Sequence, residues 1–119
     1  MPYEYETNGA AIYEQSFRMI RAESDLTNFN ALEEQVAVRM IHAAGLVDLA
    51  KYIKFSNGFV TKARAALNAG APIFCDARMV SEGITRARLP DANEIICTLH
   101  DPNIYELAAD MNTTRSAAA

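Results

Sequence analysis

Residues 72–90, PIFCDARMVSEGITRARLP, form the stretch that decides the fold of this chain. Residues 73–75 are an apolar run between Pro72 and Asp76, and such a short run, apolar on both faces, is typical of a buried strand. Residues 77–82 favour a helix, which Gly83 would end. The sequence therefore predicts a strand followed by a short helix.

Hydroxyl and guanidinium groups follow this helix, at Thr85, Arg86 and Arg88. In open α/β sheets, ligands bind outside the carboxyl ends of the strands, and the segment that begins at Asp76 is expected there. This segment is therefore a candidate wall for an anionic ligand. The alternative is that the arginines are ordinary exposed surface and that Asp76 only caps the helical turn.

A second strand is predicted at residues 94–99, EIICTL, with His100 and Asp101 at its carboxyl end. Strand, helix and strand joined by short connections imply a right-handed crossover and a parallel sheet, so the predicted class is α/β. His100 is either a site residue or only a loop residue. Because just two strands are evident, the sheet is expected to be truncated and to expose an edge.

The composition is that of a slightly acidic globular domain. The 119 residues suit one domain with one core, and 50% of them are hydrophobic and 22% charged. With 11 basic against 15 acidic residues, the net charge is −4, which argues against a nucleic-acid partner. Since Arg78, Arg86 and Arg88 lie close together in the sequence, a specific anionic ligand is expected instead.

Neither the cysteines nor the amino terminus indicate secretion. Cys75 and Cys97 stand in separate apolar runs without CxxC spacing, so we expect reduced, buried, structural thiols and no thiol-bound metal. Residues 1–8 are polar and acidic, unlike a signal peptide, and no apolar run is long enough to cross a bilayer. The predicted location is the cytoplasm, without a membrane partner.

The first predicted helix covers residues 9–23. Its periodicity gives an apolar side formed by Ile12, Phe17 and Ile20. Tyr13 and Ser16 share another stripe because they are three residues apart. Tyr13 is either a buried packing residue or a contact to a ligand, since tyrosines often combine a packed ring with a polar tip.

The second predicted helix begins after Asn30, whose side chain can cap it, and Glu33 completes the capping pattern. Gly45 is the predicted end. The expected core stripe consists of Leu32, Val36, Met40 and Ala43. Further along the chain, residues 52–55 alternate like a short strand, and helices are predicted at residues 59–69, 103–110 and from 113 onward.

His42 lies on a different stripe of the second helix, with Gln35 and Arg39, and is predicted to face out of the core. The negative end of the helix macrodipole favours the protonated imidazole, while Arg39 opposes it. Such a histidine can give or take a proton near neutral pH. From the residues alone, a histidine at a helix end is more often a surface group, and that alternative stays open.

The motifs AIYEQSF, RMIHAAG, AGAPIFCDARMV, EGITRARLP and TRSAAA occur in this order. Together they resemble the precorrin-8X methylmutase family, which includes the cobalt-precorrin form, in register over nearly the whole chain. The resemblance implies a single domain over residues 1–119 with a three-layer α/β/α, flavodoxin-like fold, its amino-terminal helices preceding a parallel sheet. Because family members continue past TRSAAA, it also implies that this domain and its sheet are truncated at the carboxyl end.

The resemblance further implies an isomerase of cobalamin biosynthesis that moves a methyl group from C-11 to C-12 of precorrin-8X, giving hydrogenobyrinate or its cobalt counterpart. It implies no cofactor and no metal, and a homodimer as the assembly. A corrinoid-binding protein without catalysis, because the chain is truncated, is the alternative. A non-enzymatic α/β module is disfavoured because the sequence has no phosphate-loop motif.

The site residues follow from positions that match the family motifs. His42 is the implied proton donor, and one positioned donor contributes about 10²–10⁴ in rate. Arg86 and Arg115 match positions that would bind the peripheral carboxylates of the macrocycle, a role that suits guanidinium groups. The other implied pocket residues are Tyr13, Ser16, Arg39 and Thr85. A sigmatropic methyl shift also needs the conjugated ring held in one geometry.

Overall fold

The structure, a computed structural model, describes residues 2–119. The chain consists of two compact units, Met1–Lys62 and Ala63–Ala119. The boundary falls within helix α3, Phe59–Asn68. In the first unit, the secondary-structure elements of residues 2–62 are all helices. The second unit contains the two parallel strands as well as helices.

Helix α1, Gly9–Glu23, has the limits that its periodicity predicts. It begins there because the Asn8 side chain accepts hydrogen bonds from the backbone N–H groups of Ala10 and Ala11. These N–H groups have no partner inside the helix, so the cap satisfies them.

Helix α2, Ala31–Ala44, begins with the predicted capping pattern. The Asn30 side chain accepts from the Glu33 backbone N–H, and the Glu33 carboxylate accepts from the Asn30 backbone N–H. The helix ends at Gly45, whose φ of 66° lies in the left-handed region that favours glycine. These two signals fix which residues form the last turn of α2, where His42 lies.

The core of the first unit forms where α1 and the 3₁₀ turn Val47–Lys51 pack against α2. Its buried members are Ile20, Ala37, Val38, Ile41, Ala50 and Ile53. The predicted core stripe of α2 is wrong at two positions, because Met40 is 43% exposed and Ala43 is exposed as well. The buried face instead follows Ala37, Val38 and Ile41, since two elements cover α2 from different sides.

The segment that follows this 3₁₀ turn is not a strand, contrary to the expectation for residues 52–55. Tyr52 closes the turn by donating its N–H to Leu49, and Ile53 is buried in the core. Phe55, two residues on, also packs against this core. The alternation of side chains therefore reflects two inward residues of an irregular segment rather than a paired strand. Among residues 2–119, no helix is both long and apolar enough to cross a membrane.

The second unit contains the predicted parallel pair. Strand β1, Ile73–Phe74, pairs in parallel with β2, Ile95–Ile96, with Ile73 opposite Ile95 and Phe74 opposite Ile96. The α/β class is thus confirmed. The strands are shorter than predicted, and Phe74 is 74% exposed, so the expectation that both faces of β1 are buried is wrong.

The remaining elements of this unit are short helices. The loop between the strands carries α4 and a 3₁₀ turn, and two helices follow β2. In chain order they are α4, Arg78–Gly83; the 3₁₀ turn Arg86–Arg88; α5, Ile104–Asp110; and α6, Arg115–Ala118. Thr114 caps α6, because its hydroxyl accepts from the Ala117 backbone N–H.

The entry into β1 is held by a buried amide. Asn93 donates through Nδ2 to the backbone carbonyls of Leu67 and Ala71, at 2.9 and 2.8 Å, and is only 8% exposed. It thereby ties the end of α3 to the chain that leads into β2. Gly70 lies between these two carbonyls at a φ of 86°, a left-handed conformation that suits glycine.

Candidate functional site

His42 is held by a side-chain hydrogen bond between α1 and α2. Its Nδ1 lies 2.7 Å from Ser16 Oγ, and both residues are half-buried. The serine hydroxyl can donate to Nδ1 or accept from it, so it fixes one ring nitrogen in either case. Nε2 makes no hydrogen bond to any of residues 2–119 and is the nitrogen that can serve a substrate.

Two aromatic rings of α1 flank the imidazole. The centroids of Tyr13 and Phe17 lie 5.1 and 5.3 Å from that of His42, and the Phe17 ring meets it edge-on at 80°. Tyr13 and Phe17 are four residues apart and so share a face of α1. Contacts at these distances restrict rotation of the imidazole, so the histidine is oriented both by its hydrogen bond and by packing.

Arg39 is positioned by the same two rings. Its guanidinium carbon lies 5.0 Å from the Phe17 centroid and 5.9 Å from the Tyr13 centroid, within the range of cation–π contacts. Arg39 forms no ion pair with any side chain of residues 2–119, and it is exposed. A cation with free N–H groups therefore lies one helical turn before His42.

A cavity of about 360 Å³ opens beside His42 and Ser16. It lies between α1, the end of α2 and the chain that follows, and most of its surface is apolar. The lining side chains beyond His42 and Ser16 come from Ile12, Gln15, Met19, Ile20, Glu23, Ile41, Leu46 and Val47. An apolar pocket with a few polar groups is the usual form of a small-molecule site. This cavity can hold the flat, apolar edge of a ligand against the imidazole of His42.

The arginines of the second unit are engaged in ways that the sequence did not reveal. Arg86 donates through Nη1 to the carbonyls of Ser81 and Ile84, at 2.6 and 3.0 Å, and so clamps the loop after α4. The guanidinium carbon of Arg115 lies 4.8 Å from the ring centroid of Tyr105 on α5. The edges of both guanidinium groups can still donate to a carboxylate.

The structure brings four of the predicted site residues into one cluster: Tyr13, Ser16, Arg39 and His42. Thr85 and Arg86 are adjacent and exposed in the second unit, and Arg115 is half-buried on α6 of the same unit. The binding and catalytic roles of all seven remain predictions.

The sequence reading missed two residues that touch this set, Phe17 and Tyr105. The periodicity of α1 predicts a core position for Phe17, but the residue is four positions from Tyr13, and this spacing places both rings on one face. Tyr105 had no such signal, because its partner Arg115 lies on a different helix.

His100, the other histidine of the chain, is exposed in the turn after β2. Within residues 2–119, no three side chains of histidine, cysteine, aspartate or glutamate are grouped so that they could hold a metal ion.

Comparison with known proteins gives consistent matches. Residues 11–119 match a family described as precorrin-8X methylmutase. The chain is 58% identical over 117 residues to a precorrin-8X methylmutase of a Sinorhizobium species, and 53% identical over 116 residues to one of Pseudomonas aeruginosa. Each alignment covers 98% of this chain and 56% of the relative, so the chain spans about half the length of these relatives.

More distant matches extend to the cobalt form and to a solved structure. A cobalt-precorrin-8 methylmutase of Methanocaldococcus jannaschii is 28% identical over 94 residues, covering 79% of this chain and 42% of that protein. A solved structure titled precorrin-8X methylmutase related protein superposes with a TM-score of 0.78 at 34% identity, covering 87% of this chain and 54% of that one.

Proposed function

This chain belongs to the precorrin-8X methylmutase family, and we propose that it carries out the isomerisation for which that family is named. In this reaction a methyl group moves from C-11 to C-12 of precorrin-8X, giving hydrogenobyrinate, a step of cobalamin biosynthesis. The observation that carries the proposal is the oriented imidazole of His42, fixed by Ser16 at the wall of an apolar cavity.

His42 is the proposed proton donor. An isomerisation leaves the composition of the substrate unchanged, so any proton given to the macrocycle during the methyl shift must be taken back afterwards. Histidine suits both steps because its ordinary pKa lies near neutrality. Because Ser16 engages Nδ1, the proton passes to and from the macrocycle at Nε2. The fixed ring keeps the Nε2–H bond pointing in one direction.

The apolar cavity is proposed to receive the edge of the macrocycle that bears C-11 and C-12. Its volume of about 360 Å³ lies near the lower end of the range of roughly 300–1,000 Å³ for ligand pockets, which suits part of a tetrapyrrole. Apolar walls favour the methyl-bearing carbons over the carboxylate arms, because burying an unpaired carboxylate is costly. Tyr13 packs against His42 rather than lining this cavity, and its hydroxyl is proposed to contact the ligand from beside the imidazole.

The carboxylate arms are proposed to bind the cationic residues. Arg39 is held by aromatic rings and keeps its N–H groups for a carboxylate. Arg115, beside Tyr105, is held in the same way, and Arg86 retains Nη2 and Nε for an acceptor while Nη1 clamps the loop. Thr85 adds a hydroxyl donor. Guanidinium groups suit this role because they bind carboxylates in a bidentate manner.

The finer fold and the assembly belong to the same proposal. We take β1 and β2 as two strands of a three-layer, flavodoxin-like α/β/α domain whose amino-terminal helices come first. The parallel pairing and the similarity to a related solved structure support this arrangement. A homodimer, action in the cytoplasm and a reaction without metal or cofactor stay predictions from the sequence, as does a single domain over residues 1–119.

The test is conversion of precorrin-8X by the protein, followed by absorbance as the chromophore changes. His42→Ala is expected to lower the rate by about 10²–10⁴, the usual contribution of a general acid. His100→Ala removes the other histidine and is expected to leave the rate unchanged. A His42→Ala protein that turned over at the parent rate would exclude His42 from the mechanism.

Binding must be measured beside turnover, with hydrogenobyrinate as the probe. If the protein binds the corrinoid tightly and shows no turnover at any pH, the alternative of a binding protein replaces the enzyme. If it does neither, the assignment of this cavity to a corrinoid is wrong.

A further inference from the structure

The two cysteines lie at matching positions of the parallel strands. Ile73 pairs with Ile95 and Phe74 with Ile96, and the Cys75 N–H donates to the Ile96 carbonyl at 2.8 Å. The pairing of β1 therefore continues one residue past the strand. In this register Cys97 is the residue opposite Cys75, and paired positions of neighbouring strands project to the same face of a sheet.

The spacing of paired strands suits a bond between the two sulfur atoms. Neighbouring strands lie about 4.7–4.9 Å apart, and the Cα atoms of a disulfide are usually about 4.4–6.8 Å apart. Both cysteines are free and half-buried, so the prediction of buried thiols is wrong. Neither residue is fully enclosed by the protein.

We propose that Cys75 and Cys97 form a dithiol site that reacts reversibly with small disulfides such as glutathione disulfide. One cysteine thiolate attacks the reagent, forming a mixed disulfide and releasing one glutathione thiol. The second thiolate then attacks the protein sulfur of that mixed disulfide and releases the second glutathione. The protein loses two protons and two electrons, which together make two hydrogen atoms, and the reagent takes them up as it is reduced to two thiols.

The site is separate from the proposed catalytic machinery. Neither cysteine lines the cavity beside His42. Cys75 directly precedes the segment that carries α4, Thr85 and Arg86, so the bond would join the start of that segment to the end of β2. A thiol pair at this point gives the second unit a covalent modification site that the methyl transfer does not use.

The experiment treats the reduced 119-residue chain with glutathione disulfide under native conditions and measures the intact mass. The expected product has lost two hydrogen atoms and carries no glutathione. Cys75→Ser and Cys97→Ser are the matched controls, and each is expected to retain one glutathione because no second thiol is present to release it. The assay is unambiguous because the chain has only 2 cysteines.

A second measurement tests whether the fold holds the two thiols together or whether they only meet by chance because they are on one chain. The equilibrium constant for the intrachain bond is measured against glutathione in native buffer and again in denaturant. We expect it to be at least about tenfold larger in the folded chain, because the register holds the thiols together. Glutathione on both cysteines of the folded protein, or an equal or smaller constant than in denaturant, would overturn the proposal.

Discussion

At the scale of single residues, His42 is defined by what surrounds it. The Ser16 hydroxyl engages Nδ1 at 2.7 Å, while Tyr13 and Phe17 pack against the ring. A histidine without these contacts would rotate between conformers and exchange tautomers, so its proton would point in several directions. The contacts hold the helix-end histidine in one orientation, which the proposed role of proton donor requires.

Replacing Ser16 tests this orientation. Ser16→Ala is expected to lower kcat about tenfold with little change in KM, since one hydrogen bond is worth about 1.4 kcal/mol and acts here on the donor rather than on binding. Ser16→Thr keeps the hydroxyl and is expected to restore most of kcat. Steady-state kinetics with precorrin-8X make the measurement. A rise in KM alone, with kcat unchanged, would assign Ser16 to substrate binding instead.

At the scale of secondary-structure elements, α2 presents His42 because both of its ends are specified. The capping box at Asn30 and Glu33 starts the helix, and the left-handed Gly45 ends it. Between these limits the last turn contains His42, and Arg39 lies one turn earlier. Moving either residue by one position along the helix would rotate its side chain by about 100° around the helix axis.

Removing the cap is expected to weaken α2 without touching the site. Asn30→Ala eliminates the acceptor for the Leu32 and Glu33 N–H groups and should lower the free energy of unfolding by about 1 kcal/mol. Asn30→Ser restores a capping side chain and should recover most of that loss. Urea denaturation followed by circular dichroism gives the values. Equal stabilities of the alanine and serine proteins would mean that the cap contributes nothing.

The connection from α3 to β1 depends on a glycine. A Cβ at Gly70 would lie 3.0 Å from the Asp91 carboxylate, and the φ of 86° is unfavourable for alanine. Gly70→Ala is therefore expected to lower the free energy of unfolding by about 2 kcal/mol.

Gly83→Ala is the matched control for Gly70→Ala in the same unit. A Cβ at Gly83 meets no atom within 4 Å, and this glycine has no positive φ. Its stability in urea is expected to stay within about 0.5 kcal/mol of the parent. A similar loss in both proteins would show that the conformation of Gly70 is not what matters.

At the scale of the whole molecule, an acidic chain is proposed to bind an acidic ligand. The net charge is −4, so long-range attraction does not favour a polycarboxylate. Binding must come from local cations, and the structure holds two of them, Arg39 and Arg115, against aromatic rings. Such fixed guanidinium groups lose little conformational freedom when they bind a carboxylate.

This charge pattern predicts a salt-dependent affinity. The Kd for hydrogenobyrinate is expected to rise with sodium chloride, because salt screens partly exposed ion pairs. Arg115→Ala should raise Kd about tenfold at low salt and flatten the dependence, as one carboxylate contact is lost. Arg64→Ala removes an exposed charge from α3 in the same unit and serves as the control, with no expected change. If both substitutions raised Kd equally, the affinity would depend on the net charge of the chain rather than on a specific contact of Arg115.

The sequence by itself determined the local structure. The limits of α1, the capping of α2 and the glycine at its end follow from signals within a few residues, and the structure confirms them. The order of strand, helix and strand along the chain also predicted the parallel pairing of β1 and β2, which the structure confirms. Motif resemblance also identified the family. These predictions succeed because caps, turns and periodicity act through neighbouring atoms of the chain.

Only the tertiary structure decided which side chains meet. It showed that the buried stripe of α2 passes through Val38 and Ile41, that Phe17 packs against His42, and that Tyr105 holds Arg115. It also placed Cys97 opposite Cys75 through the strand register. The two residues of each contact lie on separate elements, and the buried stripe of α2 is set by the elements that cover it. How separate elements pack is decided by the summed burial of many side chains rather than by any local signal.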